Sequence, residues 1–225
     1  MTTNKLPLSP TPRTQLGRSR HRALTERDAL HRFLEQASVA HLGIVLEAAP
    51  LVLPVAFAVD LTGPDAGGTL YLQASVAARW FTAAVGAQVC VTVTELDGLV
   101  LARSGFHHSM NYRSAVILGR ARRVTDQAEA ARALELVVDH LVPGRSATLR
   151  PNTRKEVAAT GVLAVPMAEA SMKARSGDPV DEAADVAAGA WAGVVELGRR
   201  RTVQTAADSH SEVPAHVRSL EGAGA

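Results

Sequence analysis

The chain has 225 residues, 47% of them hydrophobic, which is enough for one domain with a sizeable core. A net charge of +2 gives little support for nucleic-acid binding, and the single cysteine, Cys90, excludes an internal disulfide and a metal site built from several cysteines. Because no apolar stretch is long enough to span a bilayer and the N-terminus lacks an apolar signal region, we expect a cytoplasmic protein without membrane contact.

The first segment, residues 1–23, mixes Pro, Ser, Thr and Arg without periodicity and predicts a flexible basic arm. Five Lys or Arg residues and no acid lie between Lys5 and Arg22. A solvated arm is the simplest interpretation, and nucleic-acid binding is the weaker alternative. A first helix begins near Thr25, which can cap it together with Asp28. Its apolar face is formed by Leu30, Phe33, Leu34 and Ala37.

Strand-like runs separated by turn sequences come next, at residues 39–46, 51–59 and 69–73, followed by a short helical stretch at 76–85. Residues 88–95 alternate Val with Cys or Thr, which is typical of a strand with one buried face. The dipeptide Asp97-Gly98 then predicts a tight hairpin turn into another strand at 99–102.

The remaining elements are a long strand at 113–124, a helix capped by Asp126 that ends before Pro143-Gly144, and short strands at 162–166 and 190–197. Strands and helices do not alternate regularly, so we predict a mainly antiparallel α+β fold, a barrel with attached helices, rather than a doubly wound sheet. Residues 206–225 are polar and rich in Gly and Ala. We expect an arm at 1–23, one domain at 24–198 and a disordered tail at 199–225.

The segment from Phe106 to Ser114 carries the densest polar chemistry of the chain, with imidazole, amide, phenol, guanidinium and hydroxyl groups. Two interpretations are open: a loop whose polar groups meet water, or a site for a phosphorylated ligand with Arg113 on the phosphate. Metal binding at His107-His108 is not favoured, because adjacent side chains in extended backbone point apart. Phosphate-binding Gly-rich loops of the P-loop and Rossmann types are missing from the sequence.

The stretch from Leu99 to Gly119 closely resembles a signature of flavin-nucleotide-binding proteins in the pyridoxamine-5′-phosphate-oxidase-like superfamily, near the nitroimidazole-resistance branch. Other blocks resemble the same family, at residues 139–145, 149–156, 171–177 and 190–194. The resemblance implies an antiparallel, Greek-key split β-barrel that binds FMN at the interface of a homodimer.

The resemblance also implies cofactor contacts at particular positions. Leu53, Pro54 and Val55 would line the flavin ring, Arg79 would bind the phosphate, and Trp191 would reach the flavin from the partner subunit. Cofactor contacts are also implied at Gln73, Ser75, Asn111, Tyr112, Arg113 and Ser114. Relatives often have His-Gly-Ser where this chain has Gln73-Ala74-Ser75. Without the family, Arg79 is equally a surface arginine and Trp191 a packing residue.

We therefore expect an FMN-dependent oxidoreductase with an unknown small-molecule substrate, in which the flavin performs the redox chemistry. The alternative is a non-catalytic module that senses or stores flavin or haem on the same fold. Pyridoxamine-phosphate oxidation itself is disfavoured, because the lysine expected for that activity is missing between Leu51 and Phe57. The sequence assigns no catalytic residue.

Overall fold

A computed structural model describes residues 7–209 and 211–223. The α-helices are α1 Arg27–Gln36, α2 Arg79–Ala84, α3 Gln127–Leu141, α4 Arg154–Ala159, α5 Ala183–Ala187 and α6 Ala215–Arg218. The strands are β1 Ala23–Leu24, β2 Ala40–Leu46, β3 Ala49–Val55, β4 Phe57–Asp60, β5 Thr69–Ser75, β6 Gln88–Leu101, β7 Ser109–Arg120, β8 Arg122–Arg123, β9 Thr160–Pro166, β10 Ala170–Arg175, β11 Gly193–Glu196, β12 Arg200–Arg201 and β13 Gly222–Ala223. Single turns of 3₁₀ helix lie at Pro12–Thr14, Arg20–Arg22, Gly105–His107 and Ser146–Thr148.

The strands form two main antiparallel sheets. The larger has the order β1-β10-β7-β6-β2-β3, with β11 also paired to β6, and the smaller has the order β4-β5-β9-β8. Every strand pair is antiparallel, which confirms the predicted α+β class. The larger sheet is not closed on itself, and this arrangement fits a split barrel.

The core lies between the two sheets and under α1. Leu42 and Val91 from the larger sheet are fully buried together with Leu72 and Leu163 from the smaller sheet. From α1, Phe33 and its apolar neighbours close the same core, as the helical spacing of the sequence predicts. Burial of one face of each sheet leaves the opposite face of β2 and β3 accessible.

The predicted hairpin at Asp97-Gly98 is wrong. Strand β6 runs without a turn from Gln88 to Leu101 and pairs with β7 along its length, and the two residues lie at a register shift between Leu96 and Gly98. Glycine is needed there for another reason. A Cβ on Gly98 would lie 3.1 Å from Val194 Cγ1 and 3.2 Å from the Val195 carbonyl oxygen, so the glycine lets β11 approach. The true connection to β7 passes through the turn at Gly105–His107.

Two further predictions need correction. The single strand expected at 51–59 is two strands, because the chain passes at Ala56 from β3 in one sheet to β4 in the other. The polar segment after His108 is not a loop: Ser109 to Ser114 already belongs to β7 and pairs with β6 and, from Tyr112 onward, with β10.

The N-terminal segment contacts the larger sheet at the turn between β9 and β10. The Ser9 amide donates to the Ala170 carbonyl at 2.7 Å, and Arg13 Nε donates to the Glu169 carboxylate at 2.6 Å. At the other end of the chain, β12 pairs with β13. The division into arm, domain and tail stays a prediction, and its parts at 1–6, 210 and 224–225 lie outside the described residues.

A polar cluster ties α3 to the smaller sheet. The buried hydroxyl of Tyr71 donates to Glu129 at 2.9 Å, and Arg122 bridges Glu129 and Asp65. Burial, followed by the hydrogen bond to Glu129, raises the pKa of Tyr71 to about 12. This cluster anchors the N-terminal half of α3 over β5.

Candidate functional site

An open groove of about 380 Å³ lies at the end of β5, and we call it the β5 groove. Its lining residues are Ala56, Gln73, Ala74, Ser75, Ala159 and Thr160. Three of its lining residues are alanines, and the exposed Gln73 side-chain amide and Ser75 hydroxyl supply polar groups. The Ser75 oxygen accepts from the Ala77 amide at 3.3 Å, which leaves its O–H able to donate to a ligand.

The predicted ring-lining segment, Leu53 to Val55, leads directly into this groove. The carbonyl of the next residue, Ala56, accepts a hydrogen bond from the backbone N–H of Gln73 at 3.4 Å, and this bond joins the two segments. Side chains alternate along β3, so Leu53 and Val55 pack toward the core while Pro54 is exposed on the opposite face. The segment therefore offers the groove its backbone and presents Pro54 alone to solvent.

Arg79 begins α2, four positions after Ser75 at the end of β5, and 75% of its side chain is exposed. Its partner, Glu47, is also exposed and lies in the two-residue turn between β2 and β3. Exposed ion pairs of this kind contribute little stability, so Arg79 can exchange Glu47 for an anionic ligand at small cost. Arg79 is thus an accessible cation, and its role as a phosphate-binding residue stays a prediction.

The position of α2 depends on a contact between Phe81 and Gly161. Phe81 is 2% exposed, and a Cβ on Gly161 would lie only 2.4 Å from its ring. The missing side chain at Gly161 is what allows the aromatic ring to lie on β9. This contact holds α2, and with it Arg79, against β9, whose first residue, Thr160, lines the β5 groove.

Arg113 lies elsewhere and is already engaged. Its Nη2 and Nε donate to the Asp97 carboxylate at 2.8 and 3.1 Å, and its Nη1 donates to Gln36 at 2.8 Å. The guanidinium also stacks 5.5 Å from the centre of the Phe33 ring. Hydrogen bonding to Asp97 raises the pKa of Arg113. Binding of a phosphate by Arg113 would require it to leave a bidentate carboxylate partner.

The other residues predicted on β7 lie near Arg113 but do not share one surface. Ser114 is buried, and its Oγ lies 3.2 Å from Thr94 Oγ1 on the face of the sheet opposite to Arg113. The Lys173 ammonium lies 5.6 Å from the centre of the Tyr112 ring, and Asn111 donates to the Gly177 carbonyl at 3.2 Å. A ligand on one face of this sheet cannot contact both Arg113 and Ser114.

Trp191 precedes β11, and 70% of its surface is exposed. A Cβ on Gly193 would meet its ring at 2.8 Å, so glycine permits the indole to fold back over the backbone. The structure thus places Gln73 and Ser75 in the β5 groove, and Leu53 to Val55 lead into it through Ala56. It places Asn111 to Ser114, and separately Trp191, outside the β5 groove of the same chain.

Four contributors to the β5 groove are absent from the residues proposed on sequence grounds: Ala56, Ala74, Ala159 and Thr160. Ala159 and Thr160 form one wall, where α4 passes into β9 and the Val76 amide donates to the Ala159 carbonyl at 3.2 Å. The neighbouring block at 149–156 resembles the family, and this was the signal available in the sequence. Within the described ranges no three His, Cys, Asp or Glu residues are placed to hold a metal ion, and no helix is long and apolar enough to cross a membrane.

The two antiparallel sheets, the accessible face of β2 and β3, and the groove where the sheets meet define an α+β protein of the split-barrel class. A family model described as pyridoxamine 5′-phosphate oxidase matches residues 26–174. The chain belongs to this family, as its resemblance between Leu99 and Gly119 predicts.

Solved structures extend the similarity to nearly the whole chain. Flavocytochrome Anf3 from Azotobacter vinelandii is 34% identical with a TM-score of 0.83, and the match covers 95% of this chain and 98% of that protein. An FAD and haem binding protein from Mycobacterium smegmatis is 36% identical with a TM-score of 0.82, covering 90% and 98%. A putative 5-nitroimidazole antibiotic resistance protein from Bacteroides thetaiotaomicron shares the fold at 22% identity and a TM-score of 0.53, covering 67% and 85%. No curated protein gave a significant match.

Proposed function

We propose that this protein is a flavoprotein that holds the flavin mononucleotide portion of its cofactor in the β5 groove. The observation that carries the proposal is the composition of that groove, with three alanines and the exposed amide and hydroxyl groups of Gln73 and Ser75, together with the exposed guanidinium of Arg79 at the start of α2. A flavin needs the same three features, for its flat ring, its hydrogen-bonding edge and its phosphate. Two relatives with matches over most of this chain are named as a flavocytochrome and as an FAD and haem binding protein, which supports the proposal.

The residues take separate roles in this proposal. The backbone from Leu53 to Val55 lies beside the ring, Gln73 and Ser75 donate hydrogen bonds, and Arg79 neutralises the phosphate. The bound flavin supplies hydride or electron transfer, and the protein supplies its position and its electrostatic surroundings. The reaction class is therefore oxidation and reduction of a small molecule. A non-catalytic flavin-binding module is the alternative.

We further propose a homodimer in which the partner covers the exposed face of β2 and β3. Val45 and Val52 on this face are 68% and 63% exposed, and Pro50 and Pro54 beside them are exposed too. An apolar strip of this kind is typical of an interface. The partner's copies of Trp191 and of the polar β7 residues would then approach the flavin, which explains why they lie outside the groove of a single chain.

Flavin titration tests the site directly. Arg79→Ala should weaken FMN binding about tenfold, because a charge-assisted hydrogen bond to the phosphate is lost. Arg32→Ala is the matched control, since Arg32 is an exposed helical arginine on α1, and it should leave binding unchanged. Wild-type protein that quenches the fluorescence of neither FMN nor FAD would refute the proposal. Reduction by NADH or NADPH with turnover of an added acceptor separates the oxidoreductase from the non-catalytic module.

Haem is a second candidate ligand, because one imidazole on the accessible face has no hydrogen bond or ion pair with any described residue. His41 is exposed directly across from Pro54 on the neighbouring strand, with Val52 two residues away. A free imidazole within this apolar strip fits the donor chemistry of a haem axial ligand, and haem bound there would lie between the two subunits of the proposed dimer. Titration with hemin should give a Soret band that His41→Ala shifts or abolishes. The control His108→Ala, at an exposed turn histidine, should leave it unchanged.

A further inference from the structure

A small polar pocket lies where the chain that follows β11 passes beside β6, and we call it the arginine pocket. The charged and polar residues that line it are Gln36, Glu95, Asp97, Arg113, Arg199 and Arg201. Its volume is about 50 Å³. A single water molecule needs a cavity of only about 10–15 Å³, so the pocket has room for a small ion of several atoms.

The segment at residues 197–201 brings two of the arginines to this pocket. The Leu197 amide donates to the Asp97 carbonyl at 3.0 Å, directly after the pairing of β11 with β6. Side chains two residues apart in extended backbone lie on the same side of the chain. Arg199 and Arg201 therefore both line the pocket, whereas Arg200 between them does not.

The charges in the arginine pocket do not balance, because three guanidinium groups face two carboxylates. Arg113 holds the Asp97 carboxylate through bonds of 2.8 and 3.1 Å. Arg199 Nη2 donates to Glu95 at 2.5 Å, and the Glu95 side chain is only 14% exposed. The Arg201 side chain makes no hydrogen bond or ion pair with any residue that the structure describes. One positive charge in the pocket is thus left without a counterion from these residues.

From this imbalance we infer that the arginine pocket binds phosphate, either as the free ion or as the phosphate group of a larger molecule. The fork of guanidinium N–H groups on Arg201 matches two phosphate oxygens, and Arg199 can add its remaining donors while it keeps Glu95. Bound phosphate would join the 197–201 segment to β6. The site is separate from the proposed flavin site, because the arginine pocket and the β5 groove share no lining residue.

Titration calorimetry of the full-length protein with inorganic phosphate, at constant ionic strength set by chloride, tests the inference. Arg201→Ala should weaken phosphate binding about tenfold, because charge-assisted hydrogen bonds are lost. Arg200→Ala is the matched control, since Arg200 is an exposed arginine on the same strand that does not line the pocket. It should leave binding unchanged. A higher chloride concentration should weaken binding to the wild-type protein.

Gln36→Glu provides a second variant that acts by adding charge. Gln36 already accepts a hydrogen bond from Arg113 Nη1 at 2.8 Å, so a carboxylate at this position keeps the contact and supplies the negative charge that the pocket lacks. It should weaken phosphate binding at least as much as Arg201→Ala does. Gln127→Glu is its control, because Gln127 is an exposed helical glutamine on α3, outside the arginine pocket.

Two further titrations identify the source of the phosphate and separate this site from the flavin site. Phenyl phosphate that binds as tightly as inorganic phosphate indicates a larger phosphorylated ligand, whereas weaker binding indicates the free ion. Arg79→Ala should retain phosphate binding, since Arg79 does not line the arginine pocket. The inference is overturned if the wild-type protein does not bind phosphate, if Arg201→Ala binds it as tightly as Arg200→Ala, or if Arg79→Ala abolishes binding.

Discussion

Gly161→Ala should disturb the support of α2 more than any neighbouring glycine substitution. The new Cβ would lie 2.4 Å from the Phe81 ring, whereas ordinary contacts begin near 3.4 Å, so the ring has to retreat by about 1 Å. Overpacking a buried position of this kind costs about 1–3 kcal/mol of unfolding free energy. The backbone at Gly161 is not left-handed, so the effect reports on the contact and not on backbone strain.

Urea unfolding followed by circular dichroism measures this free energy. Gly105→Ala is the control, since nothing lies within 4 Å of the added methyl group and the backbone accepts it. Phe81→Leu shortens the opposing side chain. The double variant should therefore lose less than the sum of the two single losses, with a coupling of about 0.5–3 kcal/mol. The role assigned to this contact would be refuted if Gly161→Ala were as stable as Gly105→Ala. It would also be refuted if the losses of unfolding free energy of Gly161→Ala and Phe81→Leu were additive in the double variant.

Three further outcomes are expected. Tyr71→Phe should lower the free energy of unfolding by about 0.5–1.5 kcal/mol, because the hydrogen bond to Glu129 is lost while the ring stays packed, and urea titration at pH 7 measures this. Burial lowers the pKa of His140, whose Nε2 donates to the Ala37 carbonyl at 2.6 Å. Because the unfolded chain therefore binds a proton more readily than the folded chain, the free energy of unfolding should fall as the pH drops below about 6.5. His140→Gln should remove this pH dependence. Ala48→Gly should raise the thermal midpoint, since Ala48 has a left-handed φ of 64° that costs about 1–2 kcal/mol for a residue with a Cβ.

The sequence predicted the element types well where hydrophobic periodicity was long. The apolar face of α1 and the alternation along residues 88–95 both correspond to buried faces in the structure. The hairpin prediction at Asp97-Gly98 was wrong because the same dipeptide can occupy either a hairpin turn or a register shift within a strand. Only the close approach of β11 to Gly98 distinguishes the two, and that contact joins residues about a hundred positions apart.

The candidate site was predictable in part. Gln73 and Ser75 could be identified from family resemblance and do line a groove, whereas Ala159 and Thr160 on the same lining are small residues with no chemical signature. The engagement of Arg113 depends on Asp97, 16 residues away on the paired strand, and on Gln36 of α1. Such partners follow from strand register and helix placement, which local sequence patterns do not specify.

The identity of the chromophore that is released from the purified protein tests the central claim most directly. Absorption spectroscopy and mass spectrometry of native protein, followed by reconstitution with excess FAD or FMN, give a clear answer. We predict one flavin per chain, retained through gel filtration by the wild-type protein and bound about tenfold more weakly by Arg79→Ala. A colourless protein that retains neither FAD nor FMN after reconstitution would contradict the flavin-binding function.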